Sequence, residues 1–198
     1  RADIFDRNNM LLATNVNSAS IYAKPAEIIN KTEASIKLAS VLNNQNFSDI
    51  EKKLTSGKSF IWIKRQVSPK EHFEVNKLGI PGIKFQEELK RIFPQESLFA
   101  HVIGSVGVDN QGLSGVEKKL NKRLLDSTKS IFLTVDTRVQ HALRQELYLS
   151  MKKFNAIGAA GVVMNVNSGE IIGLVSLPDF NPNIKIKPSD DAAFSRVT

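Results

Sequence analysis

Cysteine is absent from the 198 residues. Without a thiol, disulfide staples, thiolate nucleophiles and Cys-ligated metal sites are excluded, so the core must hold by packing and polar contacts alone. No apolar run approaches the roughly 18 residues of a membrane-crossing helix. The opening Arg1-Ala-Asp-Ile-Phe-Asp-Arg7 has neither an initiator methionine nor the layout of a signal peptide, so the chain reads as a piece of a longer protein. Histidine is scarce. His72, His101 and His141 stand far apart, outside any His-x-x-x-His or Glu-x-x-His spacing, and no metal is expected. Gly104, Gly107, Gly112 and Gly115 are not followed by Gly-Lys-Ser/Thr, which removes a phosphate loop and leaves no cofactor implied.

What is present is ordinary for a globular core: 41% hydrophobic residues and a net charge of +7. Lys and Arg are interspersed with Asp and Glu, so a solvated basic surface is expected rather than a nucleic-acid interface. The sign of the charge also suits a polyanionic neighbour, such as a membrane surface or a cell-wall polymer.

The strongest pattern spans residues 130–183. A short strand ends at Asp136, a plausible helix N-cap, and Val139, Leu143, Leu147, Met151 and Phe154 then recur at helical spacing. Two apolar runs, 160–166 and 171–177, flank Asn167-Ser-Gly169, which predicts an antiparallel hairpin. Upstream, a hairpin turning on Asn8-Asn9, a strand over 18–23 and a helix over 27–42 using Ile28, Ile29, Ile36, Leu38, Ala39 and Leu42 are expected. A helix over 49–54, a strand over 59–64 with Trp62 in the core, a helix from Ser68-Pro69 to about Leu78 and a strand over 83–89 follow. Short helices flank residues 106–114. Small helices alternating with strands make the fold class α+β.

The motifs in order resemble one family. Arg1-Ala-Asp-Ile-Phe-Asp-Arg-Asn-Asn-Met-Leu-Leu-Ala13 is similar to the Arg-Gly-x-Ile-x-Asp-Arg-Asn-Gly-x-x-Leu-Ala opening of the non-catalytic module of class B penicillin-binding proteins. Arg91-Ile-Phe-Pro94 with Ala100-His-Val-Ile-Gly104 resembles its second motif, and Asp109-Asn-Gln-Gly-Leu-Ser-Gly-Val-Glu117 its third. Leu133-Thr-Val-Asp136 with Gln140, Ser176-Leu-Pro178 and Asn181-Pro-Asn183 resemble the start of the transpeptidase domain, in wording nearest the division-specific FtsI type. Ala2 and Asn9 replace two glycines of the first motif, and residues 125–131 are shorter than the family's usual linker.

The resemblance implies a pedestal module over 1–128, then the truncated start, 129–198, of a transpeptidase domain with an antiparallel sheet. It implies a parent anchored in the inner membrane by a single helix upstream of residue 1, with this part periplasmic. The parent would be a serine-type D,D-transpeptidase that cross-links septal peptidoglycan and binds β-lactams through its remaining part. Its partners would be the peptidoglycan precursor, an FtsW-type glycan polymerase and other division proteins. The chemistry requires Ser-x-x-Lys, Ser-x-Asn and Lys-Ser/Thr-Gly. The last two do not occur. Ser150-Met-Lys-Lys153 falls near a helix C-terminus, where the dipole disfavours an ionised serine. No catalytic residue is therefore expected in this stretch, and the nucleophile is expected about ten residues past Thr198. The implied site is structural: Arg1, Arg7 and Arg91 as candidate partners of Glu117 at a junction of modules. Glu170 and Asp179 read as surface carboxylates. The rival is a binding module of the same fold without catalysis, which the sequence after Thr198 would separate from the enzyme.

Overall fold

The computed structural model describes residues 1–126, 129–184 and 191–197. In chain order the elements are β1 (Ile4–Phe5), β2 (Leu11–Ala23), α1 (Lys31–Val41), α2 (Phe47–Leu54), β3 (Ile61–Val67), α3 (Pro69–Lys77) and β4 (Ile83–Ile92). There follow α4 (Ala100–Ile103), α5 (Gly115–Lys119), α6 (Asn121–Asp126), β5 (Ile131–Phe132), α7 (Thr137–Lys153), β6 (Ala159–Met164) and β7 (Ile171–Leu177). The architecture is α+β. The chain forms two compact units, Val16–Lys90 and Arg1–Asn15 with Arg91–Thr198.

In Val16–Lys90, β2 pairs antiparallel with β3, with Tyr22 opposite Trp62 and Ala23 opposite Ile61. Alternation along these strands turns Ile21, Ala23, Ile61 and Ile63 inward, where they are buried. Leu38, Leu42, Ile50, Leu54 and Val75 from the helices complete the aliphatic core. Each helix starts on a side-chain cap: Asn30 accepts from Glu33 N, Asn46 from Asp49 N, and Ser68 forms a reciprocal capping box with Glu71.

Three expectations for this unit need correction. The Asn30 cap delays α1 to Lys31, so Ile29 lies outside the helix and Ile36 falls on its outer face; both are exposed. The separate strand over 18–23 is the end of the single long β2. Trp62 lies on the strand face opposite Ile61 and Ile63 and is only partly buried, outside the aliphatic core.

In the other unit, Asn9 takes φ 63° at the turn between β1 and β2, which its short polar side chain tolerates in place of glycine. Ala2 is buried without positive φ. β1 pairs antiparallel with β2 and parallel with β5. Ile4, Leu12, Phe93, Phe99, Ile103, Leu124 and Ile131 are buried together. The helix expected after Gly115 is interrupted at Leu120, giving α5 and α6.

β6 and β7 pair antiparallel from Ala159–Leu177 to Met164–Ile171, with Gly169 at φ 73° in the connection. Val139, Leu143, Leu147 and Met151 are half-buried; a Cβ at Gly161 would lie 3.1 Å from methyls of Leu143 and Leu147, so glycine lets helix and hairpin meet. Phe154 caps the end of α7 and is 72% exposed, so it does not belong to that face. Residues 127 and 128 of the short connection lie outside the described residues.

Candidate functional site

The loop before α5 folds tightly over its first turn. A Cβ at Gly112 would come within 2.0 Å of the Glu117 carbonyl oxygen, so only glycine permits this approach. The Glu117 side chain is thereby carried into the interior, with no solvent exposure. Two arginines meet it. Arg1 donates from Nε and Nη2 to Oε2, at 2.9 and 2.6 Å, and again from Nη2 to the Glu117 carbonyl at 3.0 Å. Arg91 donates from Nε to Oε1 at 2.7 Å. Each carboxylate oxygen thus has its own guanidinium, in charge-assisted bonds roughly twice as strong as neutral ones.

The surroundings use the remaining donors of Arg1 and one more of Arg91, whose Nη2 is buried without a hydrogen-bond partner among the described residues. Arg1 Nη1 donates to the Asn110 carbonyl at 2.8 Å and to Asn121 Oδ1 at 2.7 Å, and the same Oδ1 accepts from Gly112 N at 2.9 Å. Asn15 donates to the Arg1 carbonyl and accepts from Arg91 Nη1 at 3.4 Å. Burial lowers the Arg91 pKa, with the charge of Glu117 opposing. The Arg91 guanidinium remains protonated regardless.

Arg7 is not in the cluster. It lies 3.6 Å from Glu170, both side chains about two-fifths exposed. The reason is its neighbour: Asp6 turns inward, accepting from Asn8 N at 2.7 Å, Met10 N at 2.8 Å, Thr137 N at 3.0 Å and Thr137 Oγ1 at 2.7 Å. Burial alone would raise the Asp6 pKa; the bonds from Thr137, Met10 and Asn8 carry it below the usual carboxylate value. Asp136 caps α7 by accepting from Arg138 N, and its side chain also takes bonds from the Arg138 guanidinium and from Asn8. These contacts, led by Arg138 and then Asn8, hold its pKa far below the usual range.

A third set fixes the chain after β7. Asn183 accepts from Phe93 N and donates to Phe93 O, both at 3.0 Å, imitating a strand pair. His101 Nε2 lies 2.9 Å from the Ala192 carbonyl, and its ring meets Phe180 edge-on; desolvation lowers its pKa. Arg144 grips Asp179 at 2.5 and 3.1 Å. Gln140 is buried and spans from Leu98 O to both backbone groups of Leu174. His72 rests against Phe85, and His141 is exposed. Ser150 is exposed, and Lys153 lies over the Phe154 ring at 5.5 Å without bonding to the serine.

Sequence reasoning singled out Arg1, Arg91 and Glu117 but missed Asn15, Asn110, Asn121 and Asp6. Asp6, Asn15 and Asn121 are short polar side chains each beside one apolar residue, and Asn110 lies in a polar loop; both patterns are too common to point to one site. The arrangement can hold backbone segments far apart in sequence in one orientation.

A family model described as "Penicillin-binding Protein dimerisation domain" matches residues 1–146. The "Probable peptidoglycan D,D-transpeptidase FtsI" of Caulobacter vibrioides is 32% identical over 201 residues, covering all of this chain and 34% of that protein. The "Probable peptidoglycan D,D-transpeptidase PenA" of Neisseria meningitidis is 33% identical, covering 92% of this chain and 37% of its own length. A peptidoglycan synthetase structure from Bifidobacterium adolescentis shares the fold, with a TM-score of 0.53 at 22% identity over 91% of this chain and 43% of that one. The chain thus spans about a third of the length of these curated relatives. The order of motifs, the matched model and the full-length similarity agree: this chain belongs to the penicillin-binding protein dimerisation domain family.

Proposed function

We propose that this chain is the non-catalytic pedestal, residues 1–128, and the opening, residues 129–198, of the transpeptidase domain of a septal peptidoglycan D,D-transpeptidase. The observation that carries the reading is the Arg1–Glu117–Arg91 lock, in which a residue of each of three family motifs meets the others. The resemblance to relatives named for D,D-transpeptidase activity supports it. In this reading the lock fixes the module that carries the catalytic domain, and the parent acylates a serine beyond this stretch with the peptide stem of the precursor. β-Lactams act on that serine. The parent sits in the inner membrane with this part periplasmic, and its pedestal meets an FtsW-type glycan polymerase and other division proteins.

The test is covalent labelling with a fluorescent penicillin. The full-length parent should form a stable acyl-enzyme and the 198-residue chain should not, with Ser150→Ala making no difference. A Ser150-dependent label on the short chain would overturn the assignment of the nucleophile. A parent that never labels would instead be a scaffold of the same fold. A fluorescent fusion of the parent should gather at the division site, and uniform distribution along the envelope would remove the septal role.

A further inference from the structure

Three aromatic rings share the outer face of β2 and β3. Tyr22 and Trp62 are direct cross-strand partners, and Phe60, two residues before Trp62, points to the same side. Tyr22 stacks on Phe60 at 4.9 Å between ring centres, and Phe60 meets Trp62 edge-on at 5.0 Å. This face is opposite the aliphatic core of Val16–Lys90. Phe60 is 42% exposed and ends a wholly exposed run, residues 55–60.

The polar tips have no partner among the described residues. Neither the Tyr22 hydroxyl nor the Trp62 indole N–H makes a hydrogen bond among the described residues. Cations lie near two of the rings. The Arg65 guanidinium lies 5.1 Å from the Trp62 ring centre, with Glu88 balancing its charge. Lys24 and Lys84 share the single carboxylate of Glu27, which leaves one charge in excess, and Lys84 lies near Tyr22. Lys58 stands exposed in the 55–60 run with no carboxylate partner among the described residues.

We infer that this face docks on the surface of an anionic lipid bilayer. Tyr and Trp, each an apolar body with a polar tip, suit the zone between acyl chains and headgroups. Phe60 supplies an exposed apolar contact beside them. Lysine stems lie along such a surface while their ammonium groups reach the phosphates. The rings line no part of the groove of about 580 Å³ formed by Asn17, Ala19, Val67, His72, Phe85 and Leu89. The inference does not depend on the enzymatic reading of the parent or on an upstream anchor.

Trp62 is the sole tryptophan, so its emission reports on this face alone. The 198-residue chain is titrated with vesicles of phosphatidylcholine, and with vesicles of phosphatidylcholine containing phosphatidylglycerol. With the anionic vesicles the emission should shift to the blue, be quenched by lipids brominated on the acyl chain, and revert in high salt. Lys58→Glu should weaken partition at least fivefold, from about fivefold for each cation lost. Phe60→Ser should abolish the shift with an unchanged far-ultraviolet circular dichroism spectrum. No shift with anionic vesicles would overturn the proposal. So would a shift that soluble cell-wall glycan fragments produce and vesicles do not, or one that grows with protein concentration without lipid, marking a second copy of the chain as the occupant.

Discussion

Of the buried polar side chains, Ser20, Ser35 and Glu71 belong to Val16–Lys90, whereas Asp6, Arg91, Glu117, Asp136, Gln140 and Ser176 belong to the other unit. The first unit is held by aliphatic side chains of amphipathic helices on a sheet. The second adds to its apolar core a set of charged and amide groups that bond across more than a hundred residues of sequence, Arg1 to Glu117 and Asp6 to Thr137 among them. An aliphatic core tolerates exchanges of similar volume. A buried polar network does not, because losing one member strands the others without water.

The largest test of that contrast is Glu117→Ala, which leaves two guanidinium groups buried with no counter-charge. It should cost about 3 to 5 kcal/mol in urea denaturation, and a loss below about 1 kcal/mol would reduce the lock to an incidental pair. In the aliphatic unit Leu38→Ala should cost about 2 to 5 kcal/mol by the same measurement. Leu143→Ala, half-buried between α7 and the hairpin, should fall near the lower end, about 2 kcal/mol. If Leu143 proves costlier than Leu38, the difference between the units is less sharp than their buried residues suggest.

Acid should act on both units, through Asp6 and Asp136 in the second and Glu71 in the first. The folded pKa values of Asp6, Asp136 and Glu71 are all lowered, so these carboxylates add stability above their ordinary pKa, and it is lost as pH falls through the folded values. Stability should therefore drop below about pH 4. Asp6→Asn should cost about 1 to 3 kcal/mol at neutral pH and flatten that drop, as read by denaturation at successive pH values. An unchanged slope in the variant would show that Asp6 does not carry the acid sensitivity. The smallest effect belongs to Glu170→Ala, whose partner Arg7 is well solvated: less than about 1 kcal/mol.

The same contrast explains what could be read without coordinates. Helical spacing revealed Leu38, Leu42 and Leu143, because a helix face repeats whatever it packs against. Periodicity erred at Ile29 and Ile36, where the Asn30 cap set the start of α1, and at Phe154, just past the end of α7. A lone tryptophan among β-branched neighbours reads as packing, yet Trp62 lies on the outer face, and alternation separates two strand faces without saying which is the core. The polar lock has no period. Arg1, Arg91 and Glu117 were legible only through the wording of family motifs, and that wording also proposed Arg7, which the inward turn of Asp6 leaves outside. Asn110 lies inside the third motif, whose wording gives it no role, and Asn121 has neither signal.

Val16–Lys90 is one uninterrupted stretch lying between the two parts of the other unit, and this orders events during synthesis. Its contacts are complete once Lys90 has left the ribosome. Arg1 must wait for Glu117, and Asp6 for Thr137, by then some tens of residues later. At roughly 5 to 20 residues per second that interval is several seconds, ample for an α+β unit of this size to fold. The inserted unit is thus folded before its host can close, and Arg1 and Asp6 spend that time as unpaired charges on a nascent chain.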